Sequence, residues 1–119
     1  EGTYCSLPGV PLDKMPGGAA FRSRYQARFH ADIQLYAPYC YDALNVMIAA
    51  MQKAGSAEPV KYLPELARIT LDGITTRIQF DENGDIRDGT VTLYRVKAGK
   101  WEVMETIGGA PPAAAADKK

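Results

Sequence analysis

The sequence predicts an α/β fold, because stretches with helical periodicity and stretches with strand periodicity both occur within its 119 residues. Phe21, Tyr25 and Phe29 recur every four residues, which is the spacing of one face of an amphipathic helix. Residues 74–80 instead alternate between apolar and polar side chains, which is typical of a half-buried strand. Residues 91–104 contain two β-rich runs around a short turn and predict a hairpin.

The composition is that of one ordinary soluble domain, with 46% apolar and 24% charged residues. Fourteen basic side chains balance fourteen acidic ones, so no net field attracts phosphate backbones or anionic lipid, and nucleic acid is not expected as a partner. The longest apolar run, Ala43–Met51, is too short to span a membrane. The chain begins at Glu1 without a basic-then-apolar leader, so we expect any targeting signal to lie upstream.

The amino-terminal segment predicts a strand followed by an extended connection. Residues 2–7 favour a strand, and Pro8 and Pro11 prevent regular hydrogen bonding directly after it. Residues 16–18, Pro-Gly-Gly, precede the first helix and could in principle hold an anion, but they lack the lysine and the spacing of a phosphate loop. We therefore interpret them as a crossover loop.

The first helix should pack its aromatic face and expose its arginines. Arg22, Arg24 and Arg28 avoid the aromatic stripe and predict a solvated face. His30, the single histidine, lies at the end of this helix, where a cap is a better interpretation than a catalytic group.

The second helix is predicted from about Cys40 to Ala54, with Gly55 as its end. Pro38 is expected to keep the preceding residues out of the helix. Apolar residues cover most of the circumference, so this helix should be buried on most sides. Asp42, near the positive end, agrees with the helix dipole.

The remaining elements are a third helix, a strand, a turn and the hairpin. Pro59 suits a first helical position, whereas Pro64 predicts that the helix is short or kinked. The strand over residues 74–80 is followed by an acidic turn over residues 81–85. Residues 108–119 are rich in Gly, Pro and Ala and predict a disordered tail.

The acidic turn partly matches a calcium loop. Asp81, Asn83 and Asp85 occupy alternating positions, but Ile86 stands where the loop needs glycine and Thr92 where it needs a bidentate Glu. A β-turn with Asn83 and Gly84 in left-handed conformations is therefore favoured.

The two cysteines, Cys5 and Cys40, match no CxxC metal or redox spacing. They are interpreted either as two buried thiols or, if the protein is exported, as a disulfide. Tyr36, Tyr39 and Tyr41 fall where a loop enters the second helix, and they could line a cleft or fill a core.

Several features follow one another in a recognisable order. They are the strand opened by Glu1-Gly2, the Pro8 to Pro11 connection, the Phe21/Tyr25/Phe29 helix, Tyr41-Asp42-Ala43-Leu44, Phe80-Asp81-Glu82-Asn83-Gly84-Asp85, and Leu93-Tyr94 with Trp101. This series resembles the carboxy-terminal third of the type I periplasmic binding proteins of the leucine/isoleucine/valine class. The similarity spans about residues 1–107.

The resemblance implies a longer protein with two α/β lobes and a solute, an amino acid or similar molecule, bound in a cleft. Residues 16–80 would complete one lobe, while the first strand and the terminal hairpin would belong to the other. An aromatic residue before the Tyr-Asp-Ala helix faces the ligand in such proteins, and Tyr36 matches that position. The family's main anchors for the carboxylate and ammonium groups lie in segments that are not present, so this chain alone should not bind an amino acid tightly.

The function implied by the resemblance is solute capture in the periplasm for a membrane ABC permease. Partners would be the solute, the permease and the remainder of the two-lobed protein, with no cofactor and no metal. The alternative is the ligand-sensing domain of a periplasmic signalling system. An enzyme is not expected, because no nucleophile with a positioned base and no metal-ligand cluster is recognisable.

Overall fold

The computed structural model describes residues 1–109, which form two compact units. Unit 1 contains Glu1–Val10 and the segment from Asp88 onward, and unit 2 contains Pro11–Arg87. This division follows the expected one, in which the first strand and the terminal hairpin belong together and the helices form a separate body. The predicted tail falls mainly on residues 110–119, which lie outside the described part of the chain.

Unit 1 is a three-stranded antiparallel sheet. Its strands are β1 (Tyr4–Pro8), β4 (Thr90–Lys97) and β5 (Lys100–Gly108), in the order β1-β4-β5. The predicted hairpin is confirmed, and its turn has positive φ at both Ala98 and Gly99, the conformation that suits a two-residue hairpin loop.

A threonine lies at the centre of this sheet. Thr92 is completely buried, and its hydroxyl donates to the Gly9 carbonyl oxygen at 2.7 Å and lies 2.9 Å from the Thr106 hydroxyl. The Gly9 amide in turn donates to the Thr90 carbonyl oxygen at 2.7 Å. These bonds attach the end of β1 to the hairpin.

Unit 2 contains three α-helices and a small hairpin. After a short 3-10 helix, Leu12–Lys14, come α1 (Gly18–Phe29), α2 (Ala37–Ala54) and α3 (Pro59–Ala67), and then the antiparallel strands β2 (Thr70–Asp72) and β3 (Arg77–Gln79). Its core cluster is formed by four buried residues, Val46, Ala50, Ile69 and Ile78.

Helix α1 agrees with the sequence pattern only in part. Phe21 is buried and the three arginines are exposed, as predicted, but Tyr25 is half-buried and Phe29 is 59% exposed. The prediction that the whole aromatic face packs was therefore wrong, although the three rings follow one another along one side of the helix. His30 ends the helix in a left-handed conformation, with φ 51°, as its C-cap. The glycine-rich segment before α1 is a connection, because the Gly17 amide donates to the Ile74 carbonyl oxygen and the Gly18 amide donates to the Met15 carbonyl oxygen.

Helix α2 differs from its prediction in two respects. It begins at Ala37, so Pro38 lies inside the helix, where a first-turn residue has no intrahelical partner for its N–H and proline is tolerated. The helix is also buried on one side only, since the side chains of Leu44 and Ile48 are 62% and 42% exposed. Gly55 ends it in a left-handed conformation, as predicted.

The prediction of a strand over residues 74–80 was partly wrong. Only Arg77–Gln79 forms β3, while residues 73–76 turn the chain back from β2, a strand that the sequence pattern did not indicate. The turn forms because backbone groups of residues 74 and 75 bond to a side chain of α2 instead of to a neighbouring strand. Helix α3 is short and contains Pro64, as expected.

The acidic turn is organised by Asp81, whose Oδ1 accepts the amides of Asn83 and Asp85, each at 2.9 Å. Gly84 alone has positive φ there, so the left-handed conformation predicted for Asn83 was wrong. Backbone hydrogen bonding from Asp85 is the main cause that lowers the pKa of Asp81, with Asn83, Arg87 and Gly84 contributing. Within residues 1–109, no acidic, His or Cys cluster could hold a metal ion.

Candidate functional site

The segment where the chain enters α2 is the candidate site, since Tyr36 was predicted there as a ligand contact. Tyr36 immediately precedes the helix, and the residue is 58% exposed. Two local hydrogen bonds shape this entry: the Ala37 amide donates to the Gln34 carbonyl oxygen at 3.0 Å, and the Cys40 amide donates to the Tyr36 carbonyl oxygen at 2.9 Å. The Tyr36 side chain is therefore presented outward from an ordered helix start.

The other two tyrosines of the junction have different surroundings. Tyr41 packs on the Phe21 ring of α1 with centroids 5.4 Å apart, and Tyr39 is half-buried in the wall of a cavity. Tyr36 is thus the most exposed of the three, while Tyr39 is half-buried and Tyr41 packs on Phe21 with 42% of its surface still exposed. The ligand contact of Tyr36 stays a prediction. Aromatic contact at this distance stabilises the relative placement of α1 and α2.

A buried carboxylate fixes the same helix end to the β2–β3 turn. Asp42 is only 3% exposed; its Oδ1 accepts the Ile74 amide at 2.9 Å, and its Oδ2 accepts the Thr75 amide at 2.8 Å and the Thr75 hydroxyl at 2.6 Å. Hydrogen bonds to an ionised acceptor are stronger than neutral ones, and a buried carboxylate requires them. The carboxylate therefore connects the start of α2 to the β2–β3 turn through hydrogen bonds.

The turn is in contact with the loop before α1 as well. The Ile74 carbonyl oxygen accepts the Gly17 amide at 3.0 Å, and a Cβ on Gly17 would lie only 2.7 Å from Ile74 Cγ2. Glycine at position 17 thus permits the loop to approach the turn closely. Three segments that are distant in sequence therefore meet at the start of α2.

The sequence interpretation missed the role of Asp42. It treated this residue as a charge that favours the helix dipole, whereas the structure buries it and pairs it with Ile74 and Thr75. A usable signal was present: Asp42, Val46 and Ala50 are spaced by four residues, so the carboxylate shares the face that carries the core. A charge on a buried face needs partners.

The remaining candidate residues lie elsewhere. Cys40 is exposed on α2 and Cys5 is half-buried in β1, and neither is bridged, so both interpretations of the cysteines were wrong. His30 borders a surface depression with Gln26 and Asp32. Within the described residues, no helix combines the length and apolar character needed to cross a bilayer.

Comparison with known proteins places this geometry in a wider context. The sequence model of the periplasmic binding protein family matches residues 1–100. The leucine-, isoleucine-, valine-, threonine- and alanine-binding protein of Pseudomonas aeruginosa is 28% identical over 94 residues, which are 79% of this chain and 25% of that protein.

Solved structures show the same fold. A leucine-binding protein from Thermotoga maritima superposes with a TM-score of 0.73 at 24% identity, covering 90% of this chain and 31% of that one. An ABC transporter substrate-binding protein from Desulfitobacterium hafniense, in complex with Leu, superposes with a TM-score of 0.71 at 23% identity, covering 87% and 31% of the two chains. The architecture is therefore a portion of the type I periplasmic-binding-protein fold, and the chain spans less than a third of these relatives.

Proposed function

Since the chain belongs to the periplasmic binding protein family, we propose that the whole protein is the substrate-binding component of an ABC importer. Its solutes would be branched-chain amino acids or related small polar molecules, captured in the periplasm and delivered to a membrane permease. The present segment, which spans 25–31% of the relatives described above, would bind such a solute weakly by itself.

One observation carries this proposal: three relatives that align over most of the chain are named for amino acids or contain one. The Pseudomonas aeruginosa protein is named for five amino acids, the Thermotoga maritima protein for leucine, and the Desulfitobacterium hafniense structure contains Leu. These proteins come from different organisms and share the fold of the segment that contains Tyr36.

We assign Tyr36 the role of packing against the side chain of the solute. An exposed aromatic ring offers a large apolar face at low conformational cost, and the hydroxyl at its edge offers a hydrogen bond. The tie from Asp42 to the β2–β3 turn and the Tyr41–Phe21 contact hold the backbone from which the ring projects. A phenol at this position also suits a solute that is more polar than leucine.

The proposed mechanism needs no bond chemistry. A solute that binds the closed form of a two-lobed protein more tightly than the open form shifts the population toward closure by that difference in affinity. The closed form is then the one that the permease would recognise. Residues of this chain contribute packing and orientation, and the relatives named above are likewise binding proteins.

The test uses a chimera, in which this chain replaces the matching segment of the full-length Pseudomonas aeruginosa relative. Calorimetric titration with leucine and with threonine should show binding, and Tyr36→Ala should weaken it roughly tenfold or more, because an aromatic contact is lost. Tyr36→Phe separates the ring from the hydroxyl.

Tyr4 provides the matched control, since it is a similarly exposed tyrosine, at 66% against 58% for Tyr36, in a different unit. Tyr4→Ala should leave the Kd unchanged. Unaltered binding by Tyr36→Ala would remove the role of that ring, and tight leucine binding by the 119-residue chain alone would contradict the proposal that it is only part of a binding unit.

A further inference from the structure

The turn after β3 contains the one Asn-Gly pair of the sequence. The chain has two asparagines, Asn45 and Asn83, and only Asn83 is followed by glycine. Both Asn83 and Gly84 are exposed, so water reaches them freely. The backbone amide of Asn83 donates to Asp81 Oδ1, whereas its side-chain carboxamide forms no hydrogen bond within residues 1–109.

An Asn-Gly pair of this kind can modify itself without an enzyme. The Gly84 backbone nitrogen gives up its proton to hydroxide and attacks Asn83 Cγ, so that a new N–Cγ bond forms, the bond to the amide nitrogen breaks and ammonia leaves. The product is a cyclic succinimide, which water opens. Cleavage of the N–Cγ bond yields aspartate, and cleavage between the nitrogen and the main-chain carbonyl carbon yields isoaspartate.

The surroundings of Gly84 leave this attack unobstructed. A side chain at the position after the asparagine would hinder the approach, and glycine has none. Gly84 has φ 86°, and the space where its Cβ would stand has no other heavy atom within 4 Å. Its amide donates to the Asp81 carbonyl oxygen at 3.2 Å, the long end of the range for such bonds. The attacking nitrogen is therefore accessible and only weakly held.

Asn45 has the opposite surroundings. It lies inside α2, and its side-chain Nδ2 donates to the Tyr41 carbonyl oxygen at 3.0 Å. The next residue is Val46, which is buried and branched at Cβ, and backbone amides inside a helix are engaged in its hydrogen-bond ladder. Asn45 is thus a built-in control within the same chain.

We propose that Asn83-Gly84 is a site of spontaneous deamidation, and that Asp81 is the positioning residue that slows the reaction by holding the turn closed. Asp81 Oδ1 accepts the amides of Asn83 and Asp85, each at 2.9 Å. Ring closure requires the Gly84 nitrogen to move toward Asn83 Cγ, which breaks its bond to the Asp81 carbonyl oxygen. This inference is independent of the proposed function.

The modification would change the end of unit 2. Isoaspartate adds a carbon to the main chain and leaves a free carboxylate between Asp81 and Asp85, where like charges repel. The lengthened backbone disturbs the bond from the Asp81 amide to the Asp85 carbonyl oxygen, now 2.8 Å. The adjoining bond, from the Arg87 amide to the Gln79 carbonyl oxygen at 2.9 Å, connects the turn to β3 and should weaken as well.

The site is tested by incubating the 119-residue chain at mildly alkaline pH and digesting it with trypsin. The peptide of residues 78–87 should gain the mass difference between an amide and an acid and become a substrate of isoaspartyl methyltransferase. The peptide that contains Asn45 should stay unchanged. Asp72-Gly73 and Asp88-Gly89 isomerise without a change in mass, so the mass gain distinguishes Asn83 from both.

Two variants identify the reacting atoms. Asn83→Ser should abolish the mass gain, which also excludes Gln79 as its source. Gly84→Ala should slow the reaction by roughly tenfold or more, because the added Cβ hinders the approach of the nitrogen. A chain that keeps Asn83 intact while a synthetic peptide of residues 78–87 is fully converted, or that modifies Asn45 at a similar rate, would overturn the site.

The role of Asp81 has its own test. Asp81→Ala should accelerate deamidation of the chain severalfold toward the rate of the synthetic peptide, and the same change within that peptide should have little effect. Asp81→Ser should restore part of the protection, since a hydroxyl accepts such amides more weakly. Glu82→Ala, at an exposed acid of the same turn, is the control. Equal acceleration by Glu82→Ala, or no rescue by Asp81→Ser, would reject Asp81 as the positioning residue.

Discussion

Unit 2 buries a cluster of apolar side chains, whereas Thr92 is the only buried residue in the described part of unit 1. Both units contain regular hydrogen-bonded structure, but only unit 2 combines it with a core. In unit 1, the outer strand β5 is exposed along its whole length, including Trp101 at 57% and Val103 at 47%. Hydrogen bonds hold the sheet, and its apolar residues contribute little.

This difference indicates that unit 2 gains more stability from its own buried residues than unit 1 does. A sheet of three strands becomes stable when one of its faces is covered, because the ladder alone barely offsets the loss of conformational entropy. Unit 2 gains from burial around Val46 and Ile78 and from the Asp42 carboxylate. We therefore expect substitutions in unit 2 to cost more than comparable substitutions in unit 1.

The largest effect is expected from Asp42→Ala. The change removes an acceptor of three hydrogen bonds and leaves the Ile74 and Thr75 amides without it, at a cost of about 4 kcal/mol in the free energy of unfolding. Urea denaturation followed by circular dichroism at the helical band reports unit 2, since the described helices all lie there.

Trp101, the single tryptophan, lies in β5 and reports unit 1 by fluorescence in the same experiment. Asp13→Ala, at an exposed acidic position of unit 2, is the control and should shift neither signal. A loss below about 1 kcal/mol for Asp42→Ala would mean that water replaces the carboxylate without penalty.

Ile78→Ala and Val103→Ala compare the two units directly. Ile78 is 5% exposed and belongs to the core cluster, so its truncation should lower the free energy of unfolding by about 2–3 kcal/mol. This is near the low end of the range for buried isoleucines, because the site opens onto a cavity. Val103 is 47% exposed, and its truncation should cost less than about 0.5 kcal/mol. Equal losses in the urea midpoint would show that the sheet is as well packed as the core.

A smaller effect than those of Asp42→Ala and Ile78→Ala is expected from Thr92→Val. The substitution keeps the shape but removes the hydroxyl that donates to the Gly9 carbonyl oxygen, at a cost of about 1 kcal/mol. Amide hydrogen exchange along β1 should accelerate more than exchange along β5, because the lost bond connects β1 to the hairpin. Thr90→Val, on the same strand, serves as the comparison, and similar acceleration there would exclude a specific role for the Thr92 hydroxyl.

Much of the fold could be predicted from local patterns. The aromatic spacing of α1, Gly55 at the end of α2 and the Ala98-Gly99 turn each indicated an element that the structure contains. The start of α2 was misplaced, since Pro38 was interpreted as a helix breaker when it occupies the first turn. Local rules for proline depend on its position within the helix, and that position is set by neighbouring packing.

The candidate site was less predictable. Tyr36 was identified through resemblance, and its role as a ligand contact stays a proposal. Asp42 was interpreted only as a charge that favours the helix dipole, because its partners Ile74 and Thr75 are more than thirty residues away along the chain. The strand pattern over residues 74–80 was misleading for the same reason: alternation continued through a turn whose backbone amides bond to the carboxylate.

The sequence by itself determined the α/β fold class, most of the helices and strands, and the family. These depend on periodicity, on turn residues and on the order of short motifs. Only the tertiary structure decided which side of α2 is covered and what Asp42 does. Apolar residues occupy most of the circumference of α2. Periodicity therefore cannot distinguish the face that packs on Ile78 from the face on which Leu44 is exposed. Burial depends on contacts between distant segments, and those exist only once the chain has folded.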